Sequence, residues 1–261
     1  MNAEPEIRPY PFSHGDVPLE GVLAVPRDRC QPLPGILLIH EFTGLGRHVT
    51  DRAADLARLG YAVLCADMYG AGVRPRDREQ ALELARSFRR DRARMRERAA
   101  ANLSALAALP AADSARLFAA GFSFGGCAAL ELCRHDPLCQ PDAPFSLRAA
   151  ASFYGYLDAP LPCAPGLARP PMLVLLGARD KVVPLSDVPG FAGEMEAAGA
   201  DYRMVVYSGA GHAFMNPYAP DLPEEGSAYC AKTAALAFRE MCDHFAEHGG
   251  QPSVQPETPG A

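Results

Sequence analysis

Leu117-Phe118-Ala119-Ala120-Gly121-Phe122-Ser123-Phe124-Gly125-Gly126 is the stretch on which the reading of this chain turns. A short apolar run, Leu117 to Ala120, leads into a glycine-flanked turn, and a helical pattern from Gly125 to Arg134 leads out of it. A serine at the centre of such a turn is held exposed above a sheet, and the flanking glycines are needed because side chains at 121 and 125 would collide with neighbouring backbone. A glycine-rich turn also suits a plain connection or a phosphate loop, but the G-x-G-x-x-G and G-x-x-x-x-G-K patterns are both absent here. Ser123 is therefore carried forward as a candidate nucleophile.

Outward from this turn the same rhythm repeats. Apolar runs at Gly35 to Ile39, Tyr61 to Ala66, Ala149 to Tyr154, Met172 to Leu176 and Tyr202 to Tyr207 read as strands buried on both faces. Helical patterns fall between them, at Thr50 to Leu59, Asp77 to Leu109, Gly125 to Arg134, Val188 to Ala198 and Gly226 to His248. Two β-like stretches, Ile7 to Phe12 and Leu19 to Val25, flank the turn signal His14-Gly15-Asp16 and predict an N-terminal hairpin. Strand alternating with helix implies a mostly parallel sheet covered on both faces, in one domain over residues 1–248, and the serine turn at 121–126 makes an α/β-hydrolase fold the expectation. Gly249 to Ala261 has no apolar periodicity and is expected to be a mobile tail. In such sheets ligands bind beyond the carboxyl ends of the strands, so chemistry should lie just after each apolar run.

The 261 residues are 49% hydrophobic and 21% charged with a net charge of -6, which disfavours nucleic acid as a partner. No apolar run is long enough to span a membrane, and the N-terminus lacks the pattern of a signal peptide. A cytoplasmic protein with a small-molecule partner, as monomer or homodimer, is expected. The eight cysteines form no C-x-x-C pair, so reduced thiols and no metal are expected. The arginine-dense segment Arg86 to Arg98 carries interleaved acids and reads as a solvated face.

A serine hydroxyl needs a base. His212, in Gly209-Ala210-Gly211-His212-Ala213-Phe214, follows the run ending at Tyr207 and fits that role; His14, His135, His244 and His248 read as surface or capping groups. Asp180 follows Met172 to Leu176 and would orient the imidazole, with Asp187 a weaker candidate. The order Ser, Asp, His is the one this fold uses. Charge on a tetrahedral intermediate needs donors, assigned to the backbone N–H groups of Phe124 and Phe42.

At these residues the chain resembles the dienelactone hydrolase family. The resemblance runs from about Leu19 to Phe245 on His40-Glu41-Phe42-Thr43-Gly44, Ala66-Asp67-Met68-Tyr69-Gly70, the Ser123 turn, Phe153-Tyr154-Gly155, Asp180 to Pro184 and His212-Ala213-Phe214. It implies a hydrolase without cofactor, with a glutamate at the position of Glu41 that helps switch the nucleophile. A brace for the loop is the other reading of Glu41, since a carboxylate directly after a buried strand must be paired. Family members use a cysteine nucleophile where this chain has Ser123, and hold a substrate carboxylate with two arginines. Arg78 matches the first arginine, whereas Asn216 stands at the second and carries no charge, which should weaken selection for an anionic lactone. Phe42, Tyr69, Phe124, Tyr154 and Phe214 offer an apolar wall or plain core, and Arg78, Tyr154, Phe214 and Asn216 are the expected substrate contacts. The resulting expectation is a serine hydrolase acting on a small ester, lactone or thioester. A non-catalytic binding protein on the same scaffold is the alternative. A dehalogenase is disfavoured because halide displacement wants a carboxylate where Ser123 stands.

Overall fold

The structure, a computed structural model, describes residues 4–27, 32–140, 143 and 145–251. The apolar runs form strands β3 (Leu33–Ile39), β4 (Ala62–Cys65), β5 (Ala112–Phe122), β6 (Leu147–Phe153), β7 (Met172–Gly177) and β8 (Tyr202–Tyr207). They follow a hairpin of β1 (Glu6–His14) and β2 (Val17–Val25), whose turn is possible because Gly15 adopts φ 58°. All eight strands join one sheet in the order β1-β2-β4-β3-β5-β6-β7-β8. β2 runs antiparallel to β1 and β4, and the remaining pairs are parallel.

Period-two side-chain alternation splits the core into two layers. Ile36 and Leu38 face the layer of Val49, Ala53 and Leu56 from α1 (Arg47–Arg58) and of Ala237, Met241 and Phe245 from α6 (Ala231–Glu247). Leu37 and Ile39 face the opposite layer, built with α2 (Arg78–Arg90), α3 (Arg92–Ala107), α4 (Phe124–Cys133) and α5 (Val188–Ala198). Each fully buried apolar side chain of this kind contributes roughly 1.5–3 kcal/mol. Among the described residues no helix is long and apolar enough to cross a membrane.

Several expectations need correction. The single helical pattern Asp77 to Leu109 is two helices, because Asp91 leaves the helical region at φ -117°, ψ 81° and its side chain accepts from the Arg94 N–H, capping α3. The arginine-dense segment is a solvated face only in part, with Arg86, Arg90 and Arg94 exposed. Arg92, Arg96 and Arg98 are buried, and Glu131 on α4, with no exposure, accepts from Arg96 Nε at 2.7 Å and from Arg134 Nη1 at 3.0 Å. Buried cations are tolerable only with such partners. α6 begins at Ala231 rather than Gly226, since 226–228 are used to hold the loop bearing His212. His244 is buried, not a surface group. Of the expected tail, Gly250 packs inward and accepts from the Tyr61 hydroxyl at 2.6 Å, while residues 252–261 lie outside the described residues.

Candidate active site

β5 delivers Ser123 at a turn with almost no free space. A Cβ on Gly121 would come within 2.1 Å of the Gly125 carbonyl oxygen, and one on Gly125 within 2.2 Å of that of Ile39. Ser123 itself takes φ 53°, ψ -111°, and its N–H is anchored to the Phe153 carbonyl at 2.9 Å. The other non-glycine residues at positive φ among those described are Tyr154 at 41° and Ala213 at 56°, both beside the same site. Backbone strain of this kind costs on the order of 1–3 kcal/mol per residue and persists only where the surroundings fix it.

The loops after β7 and β8 complete the arrangement. Ser123 Oγ lies 2.9 Å from His212 Nε2, and His212 Nδ1 lies 2.8 Å from Asp180 Oδ2. The other carboxylate oxygen of Asp180 accepts from the backbone N–H groups of Val182 and Val183, each at 2.8 Å. Asp180 and not Asp187 therefore partners the imidazole. His212 is fixed in turn, its N–H donating to the Gly226 carbonyl at 2.7 Å and its own carbonyl accepting from Ala228 N. Glycine is required at 211, where a Cβ would meet the Gly226 oxygen at 1.8 Å.

Beneath this relay Glu41, two residues past the end of β3, is a buried carboxylate. Tyr154 donates its hydroxyl to Oε1 at 3.1 Å, Asn216 donates its side-chain amide to Oε2, and His48 Nδ1 stands 3.6 Å from Oε2. Burial opposes ionisation of Glu41, but His48 and Asn216 outweigh it and hold the carboxyl below its ordinary range. Burial, reinforced by Glu41, pushes the Tyr154 hydroxyl well up, so it remains a donor. His40 braces the same loop. Its Nδ1–H donates to the Glu41 carbonyl at 2.6 Å and its Nε2 accepts from Met68 N at 3.4 Å, an assignment that suits a neutral ring whose pKa burial lowers to about 4.

Ser123 and His212 open onto a cavity of about 340 Å³. Glu41, Phe42, Arg78, Phe124 and Asn216 line it as expected, but Tyr154 and Phe214 do not. Those two rings are fully buried, packed edge-to-face at 5.0 Å beneath the imidazole, so they support the site instead of touching its contents. Asn216 is turned onto Glu41, and Arg78 is ion-paired with Glu225 beside the Phe42 ring. Sequence reasoning missed His48, Arg86, Arg89 and Tyr156. His48 sits on the inward stripe of α1 next to Val49, and a histidine there was the available signal. Arg86 and Arg89 lie on the cavity side of α2; Arg89 stacks at 3.4 Å over Tyr156 and pairs with Asp158, whereas Arg86 has no ion pair among the described residues.

A mostly parallel sheet between helical layers, with a serine on a strained strand-to-helix turn and an aspartate and histidine on the next loops along the same sheet edge, defines the α/β-hydrolase class. The sequence model of the dienelactone hydrolase family matches residues 19–249, and the chain belongs to that family of hydrolases. It is similar to the solved structure named m3DLH, with 33% identity and a TM-score of 0.84 over 94% of this chain and 99% of the other. A dienelactone hydrolase-like promiscuous phosphotriesterase from metagenomic libraries shows 30% identity and a TM-score of 0.80 over the same shares. A Yersinia pestis protein named "Putative carboxymethylenebutenolidase" is 27% identical over 91% of this chain and 86% of its own.

Proposed function

We propose that this hydrolase cleaves a small ester, lactone or thioester through an acyl-enzyme on Ser123. The observation that carries the reading is the unbroken Ser123–His212–Asp180 hydrogen-bond relay, at 2.9 and 2.8 Å, facing the cavity. Ser123 Oγ attacks the carbonyl carbon while its proton passes to His212 Nε2, and Asp180 stabilises the imidazolium that forms. The Phe42 and Phe124 N–H groups take the oxyanion; Phe124 is the first residue of α4, so its N–H has no carbonyl one turn back within the helix. Each such donor lowers the barrier by about 3 kcal/mol. The imidazolium then protonates the leaving alcohol or thiol, and water activated by the same ring releases the acid.

The binding end follows from the cavity wall. Asn216 donates to Glu41 and has no charge to offer a substrate carboxylate, while Arg86 supplies a cation at the rim that has no ion pair among the described residues. We assign Arg86, beside the apolar wall of Leu82, Phe42 and Val182, to a polar or anionic group distal to the scissile bond. A cytoplasmic location is part of the proposal: the seven described cysteines are free, and burial pushes Cys65 up to about 12 and Cys127 up to about 11, which suits inert reduced thiols. A mere binding protein has no need of a strained serine aligned on a paired imidazole.

Intact-mass detection of a fluorophosphonate adduct, run beside Ser123→Ala and with p-nitrophenyl ester turnover, tests the proposal. One adduct per chain and turnover that both vanish in the variant are expected. A folded wild-type protein with neither would return the chain to the binding-protein reading.

A further inference from the structure

α6 ends in His244-Phe245-Ala246-Glu247-His248. Residues three and four apart share one face of a helix, so this spacing sets two imidazoles and a carboxylate side by side. One donor atom from each of His244, Glu247 and His248 lies within 4.8 Å of the others, and the two rings are 4.8 Å apart, centroid to centroid.

His244 makes the cluster more than a surface coincidence. It is 3% exposed, and among the described residues neither of its ring nitrogens has a hydrogen-bond partner of ordinary geometry, although the Pro171 carbonyl lies against the ring. Buried polar nitrogens normally have partners, and an unpaired imidazole directed toward a second imidazole and a carboxylate calls for one. A positive ion is also favoured here by the carbonyl end of the helix dipole. His248 is half-buried and Glu247 exposed, which leaves a route in from solvent. Glu247 holds Arg203 of β8 at 2.9 Å through Oε2, and its other oxygen can serve a metal while that contact is kept.

We propose that His244, Glu247 and His248 bind one divalent transition-metal ion of the nickel, copper or zinc type. Two imidazole donors select borderline cations over magnesium and calcium, which take oxygen ligands, and water would fill the remaining positions. The site stands apart from the candidate active site. Pro171 precedes β7 and His244 lies against it, so the cluster is at the amino ends of the strands, whereas Ser123, Asp180 and His212 follow the carboxyl ends. All three donors lie at the C-terminal end of α6, so a bound ion would clip the last turn of that helix, and its effect is on stability.

The test uses the full chain without an affinity tag, stripped with chelator and titrated with Ni²⁺ alone by calorimetry and thermal melting. One saturable site is expected, with a melting midpoint raised by roughly 5–10 °C at a hundredfold excess over Kd, and no rise with Mg²⁺. His248→Gln and Glu247→Gln alter exposed or half-exposed side chains, keep the fold, and should each lower nickel affinity at least tenfold. No saturable binding by the wild type, or undiminished binding by His248→Gln, overturns the proposal. So does a thiolate-to-metal charge-transfer band with Co²⁺, which would place the ion on cysteine.

Discussion

Replacing Asp180 by Asn should abolish turnover through a proton on the wrong nitrogen, with little damage to the fold. In the structure one carboxylate oxygen receives the Val182 and Val183 N–H groups and the other faces His212 Nδ1. An asparagine has one oxygen, and those two backbone donors claim it, because turning the NH₂ toward them would bring donors face to face. The NH₂ then points at Nδ1, which must become an acceptor, so the ring proton moves to Nε2, opposite Ser123 Oγ at 2.9 Å. The imidazole can no longer take the serine proton. A change of this kind lowers kcat on the order of 10⁴-fold, which is about 5 kcal/mol of transition-state stabilisation. Both backbone hydrogen bonds survive and only their charge assistance is lost, about 1–2 kcal/mol. The melting midpoint should fall by only a few degrees. Steady-state kinetics on a p-nitrophenyl ester, with melting curves for wild type, Asp180→Asn and Ser123→Ala, measure both quantities. An Asp180→Asn enzyme within tenfold of wild type, while Ser123→Ala is inactive, would refute the reasoning about the tautomer.

Three further outcomes are expected. Glu41→Gln should lower kcat at least tenfold with a small change in melting midpoint, because Gln can accept from Asn216 and donate to a turned Tyr154 hydroxyl; equal turnover across several esters would confine Glu41 to bracing the loop. Arg86→Ala should raise KM about tenfold for an ester with a distal carboxylate and leave its neutral analogue unchanged, the loss of about 1.4 kcal/mol of uniform binding; parallel changes for both esters would remove Arg86 from recognition. His40 has a folded pKa of about 4 against 6.5 unfolded, so the unfolded chain binds more protons between those values. Its contribution is complete above pH 6.5 and falls by about 3 kcal/mol as pH drops to 4, so melting curves of wild type and His40→Gln should converge across that window.

How much of this was legible in the sequence depends on the range of the forces involved. Strands and most helices were readable because the hydrophobic period is local; the six apolar runs after the hairpin all became strands in the parallel part of the sheet. That Ser123, Asp180 and His212 lie together was readable because the carboxyl ends of the parallel strands share one edge of the sheet. What failed were judgements about charge. Arg92 and Arg96 of α3 look solvated beside their neighbours, and only the fold supplies Glu131, 35 residues beyond Arg96, as a partner. Asp91 is ambiguous within a helical pattern, since its side chain serves either as an exposed helical group or as a cap, and the turn direction decides. Tyr154 and Phe214 follow strand ends as the substrate-facing residues do, yet the positive φ at Tyr154 sends its ring below the imidazole.

Asn216, too, misleads when it is read by charge alone. At the sequence level it is an arginine position without a cation, and the loss of anionic selectivity follows. In the structure its amide is the donor that, with His48 and Tyr154, allows Glu41 to remain a carboxylate under the relay. A guanidinium there would serve both Glu41 and a substrate, coupling the two. An uncharged amide that donates to Glu41 holds the carboxylate without adding a cation for the substrate, and the proposed recognition then rests on Arg86 at the rim on α2. A fixed Glu41 suits the proposed mechanism, in which Ser123 is activated by a base already in contact at 2.9 Å and needs no substrate-driven switch.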